Sequence, residues 1–221
     1  MKRVLVLLGA CLTASVAHDI ITTPITFDRE ISRILQARCL SCHREGGAAF
    51  SLKTYSDARP WAVAIKEEVL ARRMPPWGAV KGFGDFRNDQ ALTPEQLEVI
   101  VSWVDGGVPE GEPRDLAADP KLPAVPAIEH RKGQIAVHGD FQLTRAFMLD
   151  GLVPENVPAN ESFQMIAELP DGSVEPLLWI EDYKPQFAHP FLLRTPLELP
   201  RGTTIRGVPA GASVILQPMP K

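Results

Sequence analysis

Cys39-Leu40-Ser41-Cys42-His43 is the stretch that decides the fold of the first half of this 221-residue chain. It has the pattern C-x-x-C-H, which is the attachment signature for a c-type haem. Two thiols one helical turn apart can add to the two vinyl groups of a haem, and the imidazole that follows is then placed to bind the iron as its proximal ligand. The sequence therefore predicts one covalently bound haem c, held by Cys39 and Cys42, with His43 as an axial ligand.

Two other chemistries also use closely spaced cysteines. Half of a zinc site needs further Cys or His residues at short spacing, and a thioredoxin-type redox pair needs a strand-to-helix context. No cysteine follows Cys42, and the next histidine after His43 is His130. Haem attachment is therefore the preferred interpretation, and zinc or dithiol chemistry is the alternative.

Residues 1–17 have the organisation of a secretory signal peptide. Lys2 and Arg3 form a basic n-region, residues 4–12 a short apolar stretch, and residues 15–17 the small side chains of a cleavage site. The apolar stretch is much shorter than the ~20 residues that span a bilayer. We expect a periplasmic or otherwise extracytoplasmic protein with no membrane span, and the alternative is a lipoprotein signal that leaves Cys11 as the lipidated first residue.

Signal cleavage changes the cysteine count and the charge. Three cysteines become two because Cys11 is removed, so no thiol is left for a structural disulfide. The formal charge of -4 becomes -6 when Lys2 and Arg3 are lost. Such a charge argues against nucleic acid binding and favours a redox partner protein selected by electrostatics.

Two helices are predicted on either side of the haem motif. Residues 27–37 carry apolar side chains at helical spacing and lead into the motif. The second helix has Ser56 or Asp57 as its N-cap and ends at Met74, because the two prolines that follow cannot continue a helix.

A third helix has a complete start signal. Thr93 is a good N-cap, Pro94 suits the first helical position, and Gln96 is placed to complete a capping box. Gly106 and Gly107 end the helix. Three helices around one motif outline a small all-α haem domain at residues 18–107.

Residues 108–127 are rich in proline and read as a semi-rigid linker, which places a second domain at 128–221. In this second part apolar residues alternate, and Asp171-Gly172 predicts a hairpin turn. Short strands are predicted at 134–137, 141–143, 163–169, 174–180, 191–193, 203–208 and 213–216. The expected fold class is α+β, with an antiparallel β-sandwich or barrel after the helical domain.

The sixth position on the iron determines the class of function. Met74, 31 residues after His43, is the best candidate for that ligand, and the alternative is a methionine that only fills the core. Weaker candidates lie beyond the linker, at Met148, Met165, His130, His138 and His189. An open sixth position is the remaining possibility.

Three motifs together resemble a single-haem, class I-type cytochrome c domain. They are the haem motif after a helix, Met74-Pro75-Pro76-Trp77, and the Thr93-Pro94 helix that ends in Trp103-Val104-Asp105-Gly106-Gly107. The resemblance covers residues 27–110 and implies a helical wrap around one haem, with His43 and Met74 as axial ligands of the iron. The Pro-Pro pair after Met74 departs from the family pattern.

The second half resembles β-domains that are fused to cytochrome c domains in multidomain bacterial secreted proteins, including copper monooxygenase-like ones. A type II copper site needs clustered His or Met ligands, and the histidines here are scattered without an H-x-H pair. A copper site is therefore not expected, and the β-domain is expected to serve as a docking module.

Other side chains are candidates for supporting roles around the haem. Candidates for hydrogen bonds or charge pairing with a propionate are Tyr55, Trp77, Arg59, Arg72 and Arg73. Candidates for lining the haem pocket are Phe50, Trp61, Leu97 and Ile100.

These expectations lead to an extracytoplasmic electron carrier rather than an enzyme, and a subunit role in an oxidoreductase complex stays open. The alternatives are a haem-dependent peroxidase or oxygenase component, and a haem-linked ligand-binding or sensory protein. A two-haem peroxidase would need a second C-x-x-C-H, and the chain has one.

Overall fold

The computed structural model describes residues 23–118 and 127–220, here called the helical half and the β-half. The signal peptide, Cys11 and residues 119–126 of the linker lie outside these residues. The α-helices are α1 (Ser32–Arg38), α2 (Tyr55–Ala58), α3 (Ala62–Leu70) and α4 (Pro94–Asp105). A π-helical turn covers Phe27–Ile31, and short 3-10 turns cover Arg59–Trp61, Pro113–Asp115 and Pro185–Phe187.

Helix α4 begins as the sequence predicts. The Thr93 hydroxyl accepts from the Gln96 amide at 3.2 Å, and the Gln96 side chain accepts from the Thr93 amide at 3.0 Å. These two bonds satisfy N–H groups that have no partner within the helix. The helix ends at Asp105 with Gly106 as its C-cap, so the prediction for this helix is confirmed.

The second predicted helix differs from the structure at both ends. Thr54 rather than Ser56 or Asp57 is the N-cap, and Asp57 is the capping-box partner that accepts from the Thr54 amide at 3.2 Å. The last helix of this region ends at Leu70 instead of Met74. Arg72 takes a left-handed φ of 56°, which stops the helix before the prolines are reached.

The core of the helical half forms around Trp103, which is fully buried. Its ring lies 6.2 Å from that of Phe27, and its indole N–H donates to the Pro109 carbonyl at 3.0 Å. The Phe27 amide donates to the same carbonyl at 3.0 Å. The chain that follows α4 is therefore tied to the π-helical turn at the start of the described chain.

Two four-stranded antiparallel sheets make up the β-half, with strand orders β1-β8-β3-β6 and β2-β7-β4-β5. The strands are β1 (Ile135–Val137), β2 (Phe141–Gln142), β3 (Phe147–Pro154), β4 (Phe163–Glu168), β5 (Val174–Ile180), β6 (Phe191–Leu199), β7 (Thr204–Arg206) and β8 (Val214–Pro218). Buried side chains of both sheets belong to one hydrophobic cluster. The chain is therefore α+β, and Asp171-Gly172 does connect β4 to β5 as a hairpin.

Strand β3 is central in its sheet, yet the sequence pattern predicts no strand at these residues. Its Asp150-Gly151 pair is a dipeptide typical of turns. In the structure the pairing register shifts between Leu149 and Gly151, and a Cβ on Gly151 would lie 2.9 Å from the Leu192 side chain. Gly151 allows a bulge where β3 approaches β6 closely. The alternation of side chains is interrupted there, so the sequence pattern does not indicate a strand.

Residues 77–88 of the helical half, here called the edge segment, pack with the β-half. Ala79 pairs with Ile180 of β5, and Phe86 pairs with Leu193 of β6. These two strands are the edge strands of the two sheets. The edge segment therefore covers one edge of each sheet and adds side chains to the core between them.

None of the helices within residues 23–118 and 127–220 combines the length and apolar character that crossing a bilayer requires.

Candidate haem site

The haem motif lies in the turn that follows α1. Cys39 is the C-cap of that helix, and the amides of Cys42 and His43 donate to the Cys39 carbonyl at 3.0 and 2.8 Å. This winds the motif into one tight turn that carries both thiols and the imidazole. Both cysteines are free thiols and partly exposed.

A short loop folds back over the motif. The Ala49 amide donates to the Cys42 carbonyl at 3.1 Å, and the Leu52 amide donates to the His43 carbonyl at 3.1 Å. Gly47 makes the approach possible, since a Cβ there would lie 2.3 Å from the Cys42 carbonyl oxygen. The motif is thus held from both sides, by α1 and by this loop.

The imidazole of His43 is oriented by the same loop. Its Nδ1 lies 3.1 Å from the Phe50 carbonyl oxygen. A carbonyl can only accept, so Nδ1 carries the proton and the lone pair of the neutral ring is on Nε2. A histidine that binds a metal shows this arrangement, in which the second nitrogen is fixed by a hydrogen bond.

Two large aromatic side chains extend from His43 and are about half exposed. The Phe50 ring meets the imidazole edge-on with centroids 4.9 Å apart, and it stacks on Trp61 at 4.4 Å. The exposed fractions of Phe50 and Trp61 are 48% and 45%. An apolar surface of this kind beside the imidazole suits a flat, apolar group such as a porphyrin. Both residues are among those predicted to line a haem pocket.

The environment of Cys39 keeps its thiol protonated. Burial and the neighbouring Cys42 raise the pKa of Cys39 to about 12, against an opposing effect of Arg38. Reactive cysteines in redox pairs have the opposite property, a lowered pKa.

Met74 lies just beyond α3 and is partly buried. It packs against the hydrophobic cluster of the helical half, as Cys39 does. Met74 also lines a cavity of about 530 Å³ that is enclosed by the end of α3, the start of α4, the edge segment and the loop before β6. Cys39, Cys42 and His43 are not among the residues that line this cavity.

Arg38 is a further candidate for contact with a haem. Its Nη1 donates to the Asp89 carbonyl at 2.6 Å, whereas its Nε is buried and has no hydrogen-bond partner among the described residues. A buried cationic N–H beside the haem motif fits a carboxylate such as a haem propionate. No sequence signal separates Arg38 from the other surface arginines, because the orphan Nε arises from packing.

Three of the other predicted propionate partners already have partners of their own. The Tyr55 hydroxyl donates to the Val108 carbonyl at 2.9 Å, and Arg73 forms a two-bond ion pair with Glu68 at 2.8 Å. Trp77 is buried in the core of the β-half, where it stacks on His189 at 4.8 Å. Arg59 and Arg72 are exposed.

The weaker candidates for the sixth ligand lie in the β-half. Met165 is fully buried in the core there and Met148 is 40% exposed on β3. Nδ1 of His138 lies 3.3 Å from the Ala212 carbonyl, and that of His189 lies 2.7 Å from the Phe187 carbonyl. His130 is exposed next to Gln134, whose amide nitrogen lies 3.4 Å from its Nδ1.

Within residues 23–118 and 127–220, no three His, Cys, Asp or Glu side chains are grouped so as to hold a metal ion. Comparison of the chain with protein-family models, curated proteins and solved structures finds no match.

Proposed function

We propose that this protein is an extracytoplasmic c-type cytochrome that carries one covalent haem and transfers electrons to or from a partner protein. The observation that carries the proposal is the His43 hydrogen bond to the Phe50 carbonyl, 3.1 Å long, in a turn that also presents two thiols. The thiols, the oriented imidazole and the half-exposed aromatic rings fit the four requirements of a c-type haem, which are two thioether bonds, one axial nitrogen and an apolar wall.

When bound, the haem supplies a reversible one-electron change between ferrous and ferric iron. Cys39 and Cys42 would hold the group covalently, and Nε2 of His43 would bind its iron. Met74 is the candidate for the second protein ligand, whose thioether would favour the reduced state and exclude small molecules from the iron. Arg38 is assigned to a propionate.

One observation favours this proposal over dithiol chemistry. The imidazole of His43 is held by a backbone carbonyl, an arrangement that a dithiol oxidoreductase does not need. The residues 4–12 and 15–17 at the start of the chain support the export that c-type haem attachment requires.

The test is expression of the full chain, with its own leader, in a host that attaches c-type haem. Haem should stay with the polypeptide after denaturation, and Cys39→Ser together with Cys42→Ser should abolish this. The ferric protein should show the weak methionine-to-iron charge-transfer band, and the reduced protein should not bind carbon monoxide.

Met74→Ala should remove the charge-transfer band and open the reduced haem to carbon monoxide. Met148→Ala is the matched control, because Met148 is exposed on β3 and should leave both properties unchanged. A protein that carries no haem in this host would refute the proposal. Carbon monoxide binding by the wild-type protein would favour the oxygenase or peroxidase alternative.

A further inference from the structure

The edge segment is held to the β-half at both of its ends by backbone pairing. Near its start, the Val80 amide donates to the Trp179 carbonyl at 2.9 Å, and the Gly78 carbonyl accepts from the Glu181 amide at 2.9 Å. Near its end, the Arg87 amide donates to the Leu192 carbonyl at 2.8 Å. The segment is therefore bonded to β5 on one side and to β6 on the other.

Side chains reinforce the β6 end. The two terminal nitrogens of Arg87, Nη1 and Nη2, each donate to the carboxylate of Asp150 at 2.9 Å, and Asp150 is buried in β3. Arg131 also donates to Asp150, at 2.6 Å. Asn88 accepts from the Leu192 amide at 2.9 Å and donates to the Pro190 carbonyl at 2.7 Å.

The start of the edge segment is only three residues from Met74. Trp77 is 5% exposed and packs against His189 and Phe191 of the β-half, with ring centroids 4.8 and 4.9 Å away. Pro75 and Pro76 connect Trp77 to Met74, and each proline ring fixes its own φ angle. The link between Trp77 and Met74 therefore has fewer free backbone rotations than an ordinary three-residue link.

On its other side Met74 is attached to α3. The Met74 amide donates to the Glu68 carbonyl at 3.3 Å, and the Arg73 guanidinium forms a two-bond ion pair with the Glu68 carboxylate. The helix has already ended at Leu70, and Arg72 is exposed in its left-handed conformation. Met74 therefore lies between two anchors, one in α3 and one in the β-half.

We propose that the β-half positions Met74, through the edge segment, for binding to the haem iron. Arg87 and Asn88 are positioning residues in this arrangement, since they fix the segment and touch no part of the haem site. The inference rests on the proposed function, because it gives the β-half a role in keeping the sixth ligand in place. The hold on Met74 then depends on contacts made by β3, β5 and β6.

The experiment measures how easily Met74 is displaced in the haem-loaded full chain. Imidazole is added to the ferric protein, and its dissociation constant is read from the loss of the methionine-to-iron band. Arg87→Ala and Asn88→Ala should each lower this constant about tenfold, because a less firmly held Met74 is displaced more easily. A tenfold change corresponds to about 1.4 kcal/mol. Arg131 still pairs Asp150 in the first variant, so the fold is expected to survive.

A matched control separates positioning from general stability. Ile205→Ala creates a cavity in the same core, but Ile205 lies on β7, which pairs with β2 and β4. This variant should lower the melting temperature without changing the imidazole constant. Amide hydrogen exchange of Val80 and Arg87 is an independent readout and should accelerate more in the two segment variants than in Ile205→Ala.

Either of two results would overturn this inference and leave the proposed function intact. One is an unchanged imidazole constant in both segment variants, and the other is an equal change in Ile205→Ala. A wild-type protein that carries haem but lacks the methionine-to-iron band would instead refute Met74 ligation, and the inference would fall with it.

Discussion

Asp28 is a buried carboxyl group whose ionisation the fold disfavours. It is 6% exposed in the π-helical turn, and burial, followed by the charges of Asp115 and Glu112, raises its pKa above 3.8. A raised pKa in the folded state means that the ionised group costs stability. The cost is absent well below pH 3.8, and it is complete once the pH exceeds the pKa of the folded protein.

Asp28→Asn should therefore raise the free energy of unfolding at neutral pH and not well below pH 3.8. The measurement is denaturant unfolding at both pH values. Glu98→Gln, on the exposed face of α4, is the control and should change little at either pH. An equal gain at both pH values would show that the effect does not come from the charge.

For single residues, the sequence predicts which side chains belong to the candidate site, but it does not predict their hydrogen bonds. Cys39 and His43 follow from a local five-residue pattern, and the structure places them in one turn. The hydrogen bond from His43 to the Phe50 carbonyl and the orphan Nε of Arg38 could not be predicted. Both depend on how separate chain segments pack, which no local pattern encodes.

Among the elements, α4 owes its start to the capping box. Thr93→Ala should cost about 1 kcal/mol of stability, because the Gln96 amide loses the hydroxyl that caps it. Denaturant unfolding followed by helical circular dichroism measures this. Thr93→Ser keeps the hydroxyl and should stay close to the wild type. If the two variants were equally unstable, the hydroxyl would not be the source of the loss.

Two elements show why local signals succeed or fail. The start of α4 was predictable because its N-cap, proline and Gln96 are all local. Strand β3 was not, because its Asp150-Gly151 pair has the composition of a turn and is accommodated by a bulge against β6. The burial of Asp150 was not predictable either, because it depends on ion pairs with Arg87 and Arg131, which are distant in the chain.

At the level of the whole molecule, the β-half depends on the edge segment. Trp77, Ala79 and Phe86 belong to its hydrophobic cluster. Removing one buried Trp typically costs about 3–5 kcal/mol, a large part of the roughly 5–15 kcal/mol by which a domain is stable. We expect residues 127–221 alone to be marginally folded, and a peptide of residues 75–91 to bind and stabilise them.

Calorimetric titration of the peptide into the fragment, with thermal unfolding before and after, is the measurement. A peptide with Trp77→Ala and Phe86→Ala should not bind. A fragment that unfolds at the same temperature as the full chain and ignores the peptide would contradict the dependence.

The sequence places a boundary within residues 108–127, where the composition changes most. Among the described residues, every α-helix precedes this range and every strand follows it. The packing of residues 77–88 with the strands was not predictable, because a glycine-containing loop between two helices carries no periodic signal. Contacts between Phe86 and Leu193 join residues more than a hundred positions apart in the chain.

The edge segment also has a consequence for biosynthesis. Strands β5 and β6 each have one side that pairs with no other strand, and an uncovered side is a template for aggregation with another chain. Residues 77–88 precede both strands in the chain, so they emerge from the ribosome first. When each vulnerable strand is completed, the segment that shields it from intermolecular pairing already exists.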